Sequence, residues 1–532
     1  MTEFPTPTAE YKQGKRNAFT RFLDGVEWLG NLLPHPVSLF ALLALGIVLL
    51  SGLLGWMGVA VADPRPAGSP NVAEDGMIRA VSLMNGDGLR RIFTGLVDNF
   101  TSFAPLGVVL VAMLGVGVAE KSGLLSAAVR SMVLGAPPKL VTVAIVFAGI
   151  ISNTASEVGY VVLIPLGGAI YYALGRHPLA GMAAAFAGVS GGYSANLLIG
   201  TIDPLLAGIT QEAAQLIDPD YTVLATANWY FMFVSTFLVA GIGSLVSIYI
   251  VEPKLGPYDA SKADPDVLDD GMMQPLTDIE RKGLRWAGVA LLGVLGLMAL
   301  TLVPEWGVLR NAETGDRMDS PFFDGFVVWI LIFFIAIGYA YGRATGSMKT
   351  DRDVIDAMSA ALSALGLYIV LVFFAAQFVA FFGWTNLGAI TAVTGANFLV
   401  ESGMTGPVVF FAFIAICAII NLSLGSASAQ WAVTAPIFVP MLMLIGYAPE
   451  AIQAAYRIGD STTNIITPMM SYFGLILAWA TRYQKDLGVG TLIAMMLPYT
   501  IFFITAWSVF FYLWTFVFGL PVGPGSPTFY NP

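Results

Sequence analysis

Cysteine, histidine and charge are scarce in this chain of 532 residues, and each scarcity closes off a class of function. The single cysteine, Cys417, cannot form an internal disulfide, and its place in an apolar run reads as packing. Two histidines, His35 and His177, leave little room for a histidine-based metal site. Only 11% of the residues are charged, and a net charge of -10 argues against nucleic acid, which needs clustered basic surface. What is present in excess is apolar: 57% of the side chains, with a mean hydropathy of +0.76. That is far too hydrophobic for a soluble domain of this size. An all-α polytopic membrane protein is expected, with the bilayer itself as a partner.

No cleavable leader is expected, because the first continuous apolar run, Pro36 to Val61, is too long for one. Before it, Phe19, Phe22, Leu23, Val26, Leu29 and Leu33 fall at helical spacing near Lys15, Arg16 and Arg21. This pattern fits an interfacial helix, or equally a short helix packed on the protein's own cytoplasmic face. Spans of ~20 apolar residues are expected near 36–61, 92–119, 227–251, 284–303, 323–342, 357–383 and 488–519.

Two further stretches are apolar but interrupted, and they repeat each other. The first reads ISNTASEVGYVVLIPLGGAIYYALGRHP and then GVSGGYSANLLIGTIDP; the second reads IINLSLGSASAQWAVTAPIFVPMLMLIGYAP and then YRIGDSTTNIITP. Asn153, Pro165, Gly175, Pro178, Gly191 and Asn196 in one copy recur as Asn421, Pro436, Gly446, Pro449, Gly459 and Asn464 in the other, and each Asn-to-Asn span is 43 residues. Polar breaks at corresponding positions of two halves are the pattern of a transporter that holds its cargo near the bilayer midplane.

Loop charge orients the copies. Lys254, Lys262, Arg281, Lys282 and Arg285 lie in one loop, and Arg343, Lys349 and Arg352 in another. Both are read as cytoplasmic under the positive-inside rule, as is the N-terminal segment. The loop 62–91 carries mixed charge and is placed outside because its neighbours require it. The first copy then enters from the cytoplasm and the second from outside, so the copies are inverted. A consistent count is nine crossings plus two opposed re-entrant hairpins, around Asn153 and Asn421, with broken helices around Asn196 and Asn464. Non-helical backbone at membrane depth survives only when buried in protein or lining a wet cavity, so the four breaks should converge. The expected organisation is a cytoplasmic segment 1–35, scaffold spans 36–135, inverted repeat 136–215, scaffold 216–404, inverted repeat 405–481 and a C-terminal span with tail 482–532.

The tips are rich in uncharged oxygen ligands, which suit a monovalent cation that must also leave. Sodium is therefore assigned to Ser152, Asn153, Thr154, Ser156, Asn196, Ser423 and Asn464. The competing reading is that these groups only hydrogen-bond neighbouring helices. Arg457 and Asp460 share a helix face in a segment with no other charge between Glu450 and Arg482. Arg457 either grips an anionic group of the cargo through its planar fork or neutralises Asp460. Asp203, before Pro204, either carries a proton or caps the following half-helix, and Glu157 has a weaker claim of the same kind. Trp431 suits packing against an aromatic ring, although membrane tryptophans are often core or interface anchors.

Enzymes form the rival class. Gly188-Val189-Ser190-Gly191 matches the GxSG pattern of rhomboid-type proteases, making Ser190 a nucleophile in need of a histidine base. His177 is expected at a membrane edge and His35 before the first span, so the partner is missing. Gly459-Asp460 fails the GxGD pattern of aspartyl intramembrane proteases because position 457 is Arg. No enzymatic activity and no bound cofactor are expected.

The runs SNTASEVGYVVLIPLGG, GGYSANLLIGTIDPLLAGI and AYRIGDSTTNIITPMM resemble the AbgT family of bacterial aminobenzoyl-glutamate transporters, within a larger ion-transporter group that includes sodium/dicarboxylate carriers. The resemblance implies a homodimer in the bacterial inner membrane. It also implies cargo contacts at Asp203, Asn421, Ser428, Trp431, Pro449, Arg457, Asp460 and Pro468. The implied function is secondary active transport of p-aminobenzoyl-glutamate-like folate catabolites and efflux of sulfonamide antimetabolites, driven by protons or sodium. A sodium-coupled dicarboxylate carrier of the same architecture is the alternative. The second copy is expected to grip the cargo, and the first to supply ion-binding oxygens and Asp203.

Overall fold

The computed structural model describes residues 34–64, 75–155, 159–259 and 275–530. The helix expected over Phe19–Leu33 lies outside the described residues. Helix α1 (Pro36–Trp56) opens the fold, with Pro36 in its first turn, where a missing N–H costs nothing. It stops short of the expected end at residue 61, because Ala60–Ala62 (β1) pairs antiparallel with Met77–Arg79 (β2) in a small hairpin. Helices α2 (Gly86–Thr101) and α3 (Ala104–Lys121) together make the second long apolar stretch. They part at Ser102-Phe103, ahead of Pro105, whose ring and missing N–H cannot continue a helix.

Helix α4 (Leu124–Leu134) precedes the first copy, which follows as α5 (Val141–Ser152), α6 (Gly159–Ala173), α7 (Pro178–Gly191) and α8 (Ile202–Ala214). Wider five-residue turns open α6, at Gly159–Leu163, and close α7, at Ala187–Gly191. Such turns cluster at functional breaks in helices. The middle of the chain forms α9 (Trp229–Leu255), α10 (Asp278–Leu302), α11 (Phe326–Thr345), α12 (Asp351–Ala364), α13 (Gly366–Trp384) and α14 (Leu387–Glu401). The expected span 357–383 is thus two helices, which part at Leu365-Gly366, glycine being a poor helix former. The second copy supplies α15 (Val409–Leu424), α16 (Ala427–Met443), α17 (Pro449–Asn464) and α18 (Phe473–Tyr483), and α19 (Val489–Val517) ends the bundle.

Among the described residues, seven helical stretches are long and apolar enough to cross a membrane: α1, α2–α3, α9, α10, α11, α13 and α19. All seven expected continuous spans are matched. The helices of the two copies are shorter, and they occupy the interior. All 16 residues of α17 are buried, whereas only 22% of the α1 span and 17% of the α10 span are. Leu42, Leu45 and Leu49 on α1, and Val289, Leu292 and Leu295 on α10, face outward. An apolar periphery around a polar-stippled interior is the arrangement a bilayer stabilises.

The two copies pack in the same way. In the first, α5 lies against the end of α7; in the second, α15 lies against α17. The returning arms cross over, α16 packing on α8 of the first copy and α6 on α18 of the second. Glycine sets the closest approaches. A Cβ at Gly188 would collide with the Val146 carbonyl, and one at Gly459 would meet the Ile414 carbonyl at 2.6 Å and the Cys417 Cβ at 2.8 Å. Cys417 is accordingly a buried packing residue.

Because the Gly188 contact is with backbone, Gly188→Ala is expected to lower stability by about 1–3 kcal/mol through overpacking. Gly241→Ala, at an open position of α9, should be neutral or gain up to ~1 kcal/mol from helix propensity. Thermal unfolding of both variants in detergent, followed by loss of monodispersity, checks the contrast.

Candidate functional site

The breaks differ in where they begin. In the first copy the helix ends at Gly191, and the chain runs irregularly to Thr201. In the second, helix persists to Asn464, and Thr462 and Thr463 satisfy their buried hydroxyls by donating back to the carbonyls of Ile458 (2.7 Å) and Gly459 (2.9 Å). The polar face of α17 is therefore carried on a rigid, wholly buried helix.

That helix presents Arg457 to Asp203 of the other copy. Arg457 Nη2 lies 2.6 Å from Asp203 Oδ1, with the side chains 1% and 10% exposed. The second carboxylate oxygen accepts the Gly200 N–H at 2.7 Å, which ties the connector to the first turn of α8; the N-cap of that helix is Thr201, and it has no side-chain cap bond. Arg457 Nη2 additionally donates to the Ser194 carbonyl at 3.3 Å. Arg457 does not pair with Asp460. Helical side chains lean toward the N-terminus, so a long basic side chain points away from an acid three residues further on, and basic-before-acidic is the weaker order on a helix. Asp460 is fully buried, and neither of its carboxylate oxygens has a hydrogen-bond partner among the described residues.

Both tips are cross-braced by amides. Thr154 Oγ1 donates to Asn196 Oδ1 at 2.7 Å, and Asn153 Nδ2 donates to the Val189 carbonyl at 2.8 Å. Asn421 Nδ2 reaches Asn464 Oδ1 (2.8 Å), the Asp460 carbonyl (2.9 Å) and Thr463 Oγ1 (3.0 Å). Ser152 Oγ donates to the Gly149 carbonyl at 2.6 Å, and Ser423 is half-buried on the last turn of α15. Ser156 and Glu157 lie outside the described residues. Each connector crosses its own tip closely. A Cβ at Gly200 would sit 3.1 Å and 3.2 Å from the Thr154 and Asn153 carbonyl oxygens, and one at Gly425 would sit 2.9 Å from the Met469 carbonyl. Gly425 also has φ +57, a conformation that favours glycine. Among the described residues no cluster of three His, Cys, Asp or Glu side chains can hold a metal ion. The oxygens gathered at the tips are amide, hydroxyl and carbonyl, the set suited to a monovalent cation.

A cavity of about 400 Å³ opens where the tips meet. Asn153 and Asn464, one from each copy, line it together with Ser426 and Ser428. Val109 and Met113 of α3 and Tyr368 of α13 close the far side. The sequence-derived cargo residues divide into three places. Ser428 lines the cavity; Asp203, Arg457, Asp460 and Asn421 lie buried behind it; Pro449 starts α17, and Pro468 sits half-buried in the connector after it.

Trp431 differs from its sequence reading as a surface for a cargo ring. It is fully buried, stacked on Tyr456 (centroids 4.2 Å apart, planes 22°), with Nε1 donating to Thr210 Oγ1 at 2.8 Å. Tyr456 is itself fixed, its hydroxyl donating to the Ala427 carbonyl at 2.6 Å. Sequence reasoning missed this pair, and also the tyrosines of the cavity, Tyr160, Tyr193, Tyr368 and Tyr472. Their only signal was a tyrosine soon after Asn153 and another soon after Asn464. Ser190 has a thioether for a neighbour, Met470 Sδ at 3.2 Å, while the His177 ring packs edge-on against Tyr258. The serine and histidine needed for a protease are not brought together.

The profile of the AbgT putative transporter family matches residues 21–530. A p-aminobenzoyl-glutamate transport protein of Escherichia coli K12 is 36% identical over 500 residues, covering 94% of this chain and 95% of that protein. The structure of MtrF from Neisseria gonorrhoeae, described as illuminating a class of antimetabolite efflux pumps, is 59% identical with a TM-score of 0.89, over 95% of this chain and 100% of that one. The YdaH transporter of Alcanivorax borkumensis, described as having an unusual topology, is 45% identical with a TM-score of 0.84, over 92% and 100% of the two chains. Helical spans, paired polar breaks and full-length similarity together make this chain a member of the AbgT family, a membrane transporter and not an enzyme.

Proposed function

We propose that this chain is a secondary active transporter that moves p-aminobenzoyl-glutamate-like folate catabolites and exports sulfonamide antimetabolites, driven by a proton or sodium gradient. The observation that carries the reading is the cavity lined by an asparagine from each copy, with a buried ion pair and a second buried acid behind it. The names of the relatives supply the cargo class. In this account the protein is a homodimer of the bacterial inner membrane, with nine crossings per subunit, two opposed re-entrant hairpins and a cytoplasmic N-terminus. Segments 136–215 and 405–481 form a transport domain that moves against a scaffold of the remaining spans.

The chemistry divides among the buried groups. A carboxylate of the cargo competes with Asp203 for Arg457, whose planar guanidinium accepts a carboxylate in two parallel hydrogen bonds. Asp460, lacking a hydrogen-bond partner, exchanges the coupling proton. Sodium, where it couples, sits among the oxygens of the tips. When the cargo carboxylate takes Arg457, a proton or cation taken up at the released Asp203 keeps the buried charges balanced, which matters because an unpaired charge at membrane depth is costly.

Two outcomes test this. Purified protein in liposomes should carry labelled p-aminobenzoyl-glutamate, and a sulfonamide should compete, when a pH or sodium gradient is imposed. Indifference to both gradients, or preference for succinate over the arylamide, would refute the proposal. Asp460→Asn, nearly isosteric, should fold as wild type yet lose at least ~10-fold of gradient-driven flux, the scale expected on removing a proton-transfer group. Wild-type flux in that variant would remove Asp460 from the mechanism.

A further inference from the structure

The cargo proposed above carries an aromatic ring, and the residue that sequence reading assigned to it is sealed. Trp431 is fully buried, and Tyr456 occupies its face. Its indole N–H is engaged by Thr210, which in turn donates to Gln453 Oε1 at 2.6 Å. A ring entering the cavity at the tips meets tyrosines instead. Tyr160 of the first copy and Tyr472 of the second stack on each other (centroids 4.6 Å apart, planes 8°), and both line the cavity. Tyr368 enters from α13, outside the copies, held by its hydroxyl donating to the Pro105 carbonyl at 3.0 Å.

We propose that Tyr160, Tyr472 and Tyr368 form the subsite for the aromatic ring of the cargo and set a preference for arylamides over aliphatic ligands. This inference rests on the transport reading above and specifies the ring end of the same site. The cavity has the composition for it. The apolar side chains Val109, Met113, Leu205 and Met470 share its wall with Ser426, Ser428 and Asn464, so one region suits a ring and another an amide or carboxylate tail. Its ~400 Å³ lies within the range of small-molecule sites. Offset or edge-on contacts with aromatic rings add to the area a ligand buries, and methionine sulfur favours ring edges. The three tyrosines come from both copies and from a helix outside them, so the ring is recognised where the transport domain meets its scaffold.

The test compares two labelled ligands in proteoliposomes, p-aminobenzoyl-glutamate and its cyclohexanecarbonyl counterpart, for wild type and for leucine and phenylalanine variants. Tyr160→Leu and Tyr472→Leu should raise the KM for the arylamide by about 3- to 10-fold, the scale of one aromatic contact. Maximal rate and the KM for the cyclohexyl ligand should stay within about 2-fold, and Tyr160→Phe and Tyr472→Phe should restore the arylamide KM. Should either leucine variant fail to fold, Tyr368→Leu, which lies outside the stacked pair, carries the same comparison. Parallel change for both ligands, or no change in either, overturns the subsite while leaving the transport reading intact. A wild-type protein that carries the arylamide no better than the cyclohexyl ligand overturns the subsite as well, and one that carries neither ligand overturns both readings.

Discussion

The ion pair between Arg457 and Asp203 is the interaction on which the interior of this protein depends. It joins the two copies, it is almost wholly removed from solvent, and it sits among helices whose surroundings cannot solvate a bare charge. Its value is not simple stabilisation, since a buried pair can cost as much in desolvation as it gains by attraction. What it supplies is specification. Among the described residues Arg457 has one carboxylate partner, and any rearrangement that parts the pair must offer each member a substitute. A transporter can exploit that requirement, because a cargo carboxylate or a proton is such a substitute.

Around the pair, helix geometry sorts rigid parts from adaptable ones. Copy two keeps α17 helical through to Asn464, with threonines that bond to its own carbonyls. Copy one gives up helix at Gly191 and runs irregularly until Ile202 begins α8, with Asp203 in its first turn. The arginine is therefore presented on a continuous helix, and its partner on a helix start that follows an irregular connector. The closest approaches of the connectors, at Gly200 over the first tip and Met469 over the second, tie their positions to the tips. Gly200, packed on the first tip, also donates its N–H to the carboxylate that Arg457 holds.

Much of this was legible in the residues. The seven continuous spans followed from apolar length alone, since the bilayer imposes that length. The recurrence of Asn153 and Asn196 as Asn421 and Asn464 located the breaks; these asparagines do brace their own tips, and Asn153 and Asn464 line one cavity. Three things were hidden, each for a physical reason. Sequence spacing suggested Arg457 with Asp460, but side-chain direction on a helix and a partner distant in sequence decided for Asp203. Trp431 was singled out as a ring surface, yet a tryptophan can be closed by a neighbour such as Tyr456 that sequence cannot place against it. The joint at Leu365-Gly366 lay within one continuous apolar run, where hydropathy carries no record of a change in direction.

The most direct test of the central claim is a double-mutant cycle on the ion pair, using Asp203→Asn and Arg457→Gln and reading unfolding free energy in a lipid-like detergent. The account predicts that each single variant, which strands a buried charge, loses about 3–5 kcal/mol, while the double variant recovers at least ~1.5 kcal/mol of the summed loss. Strict additivity of the two losses would contradict it.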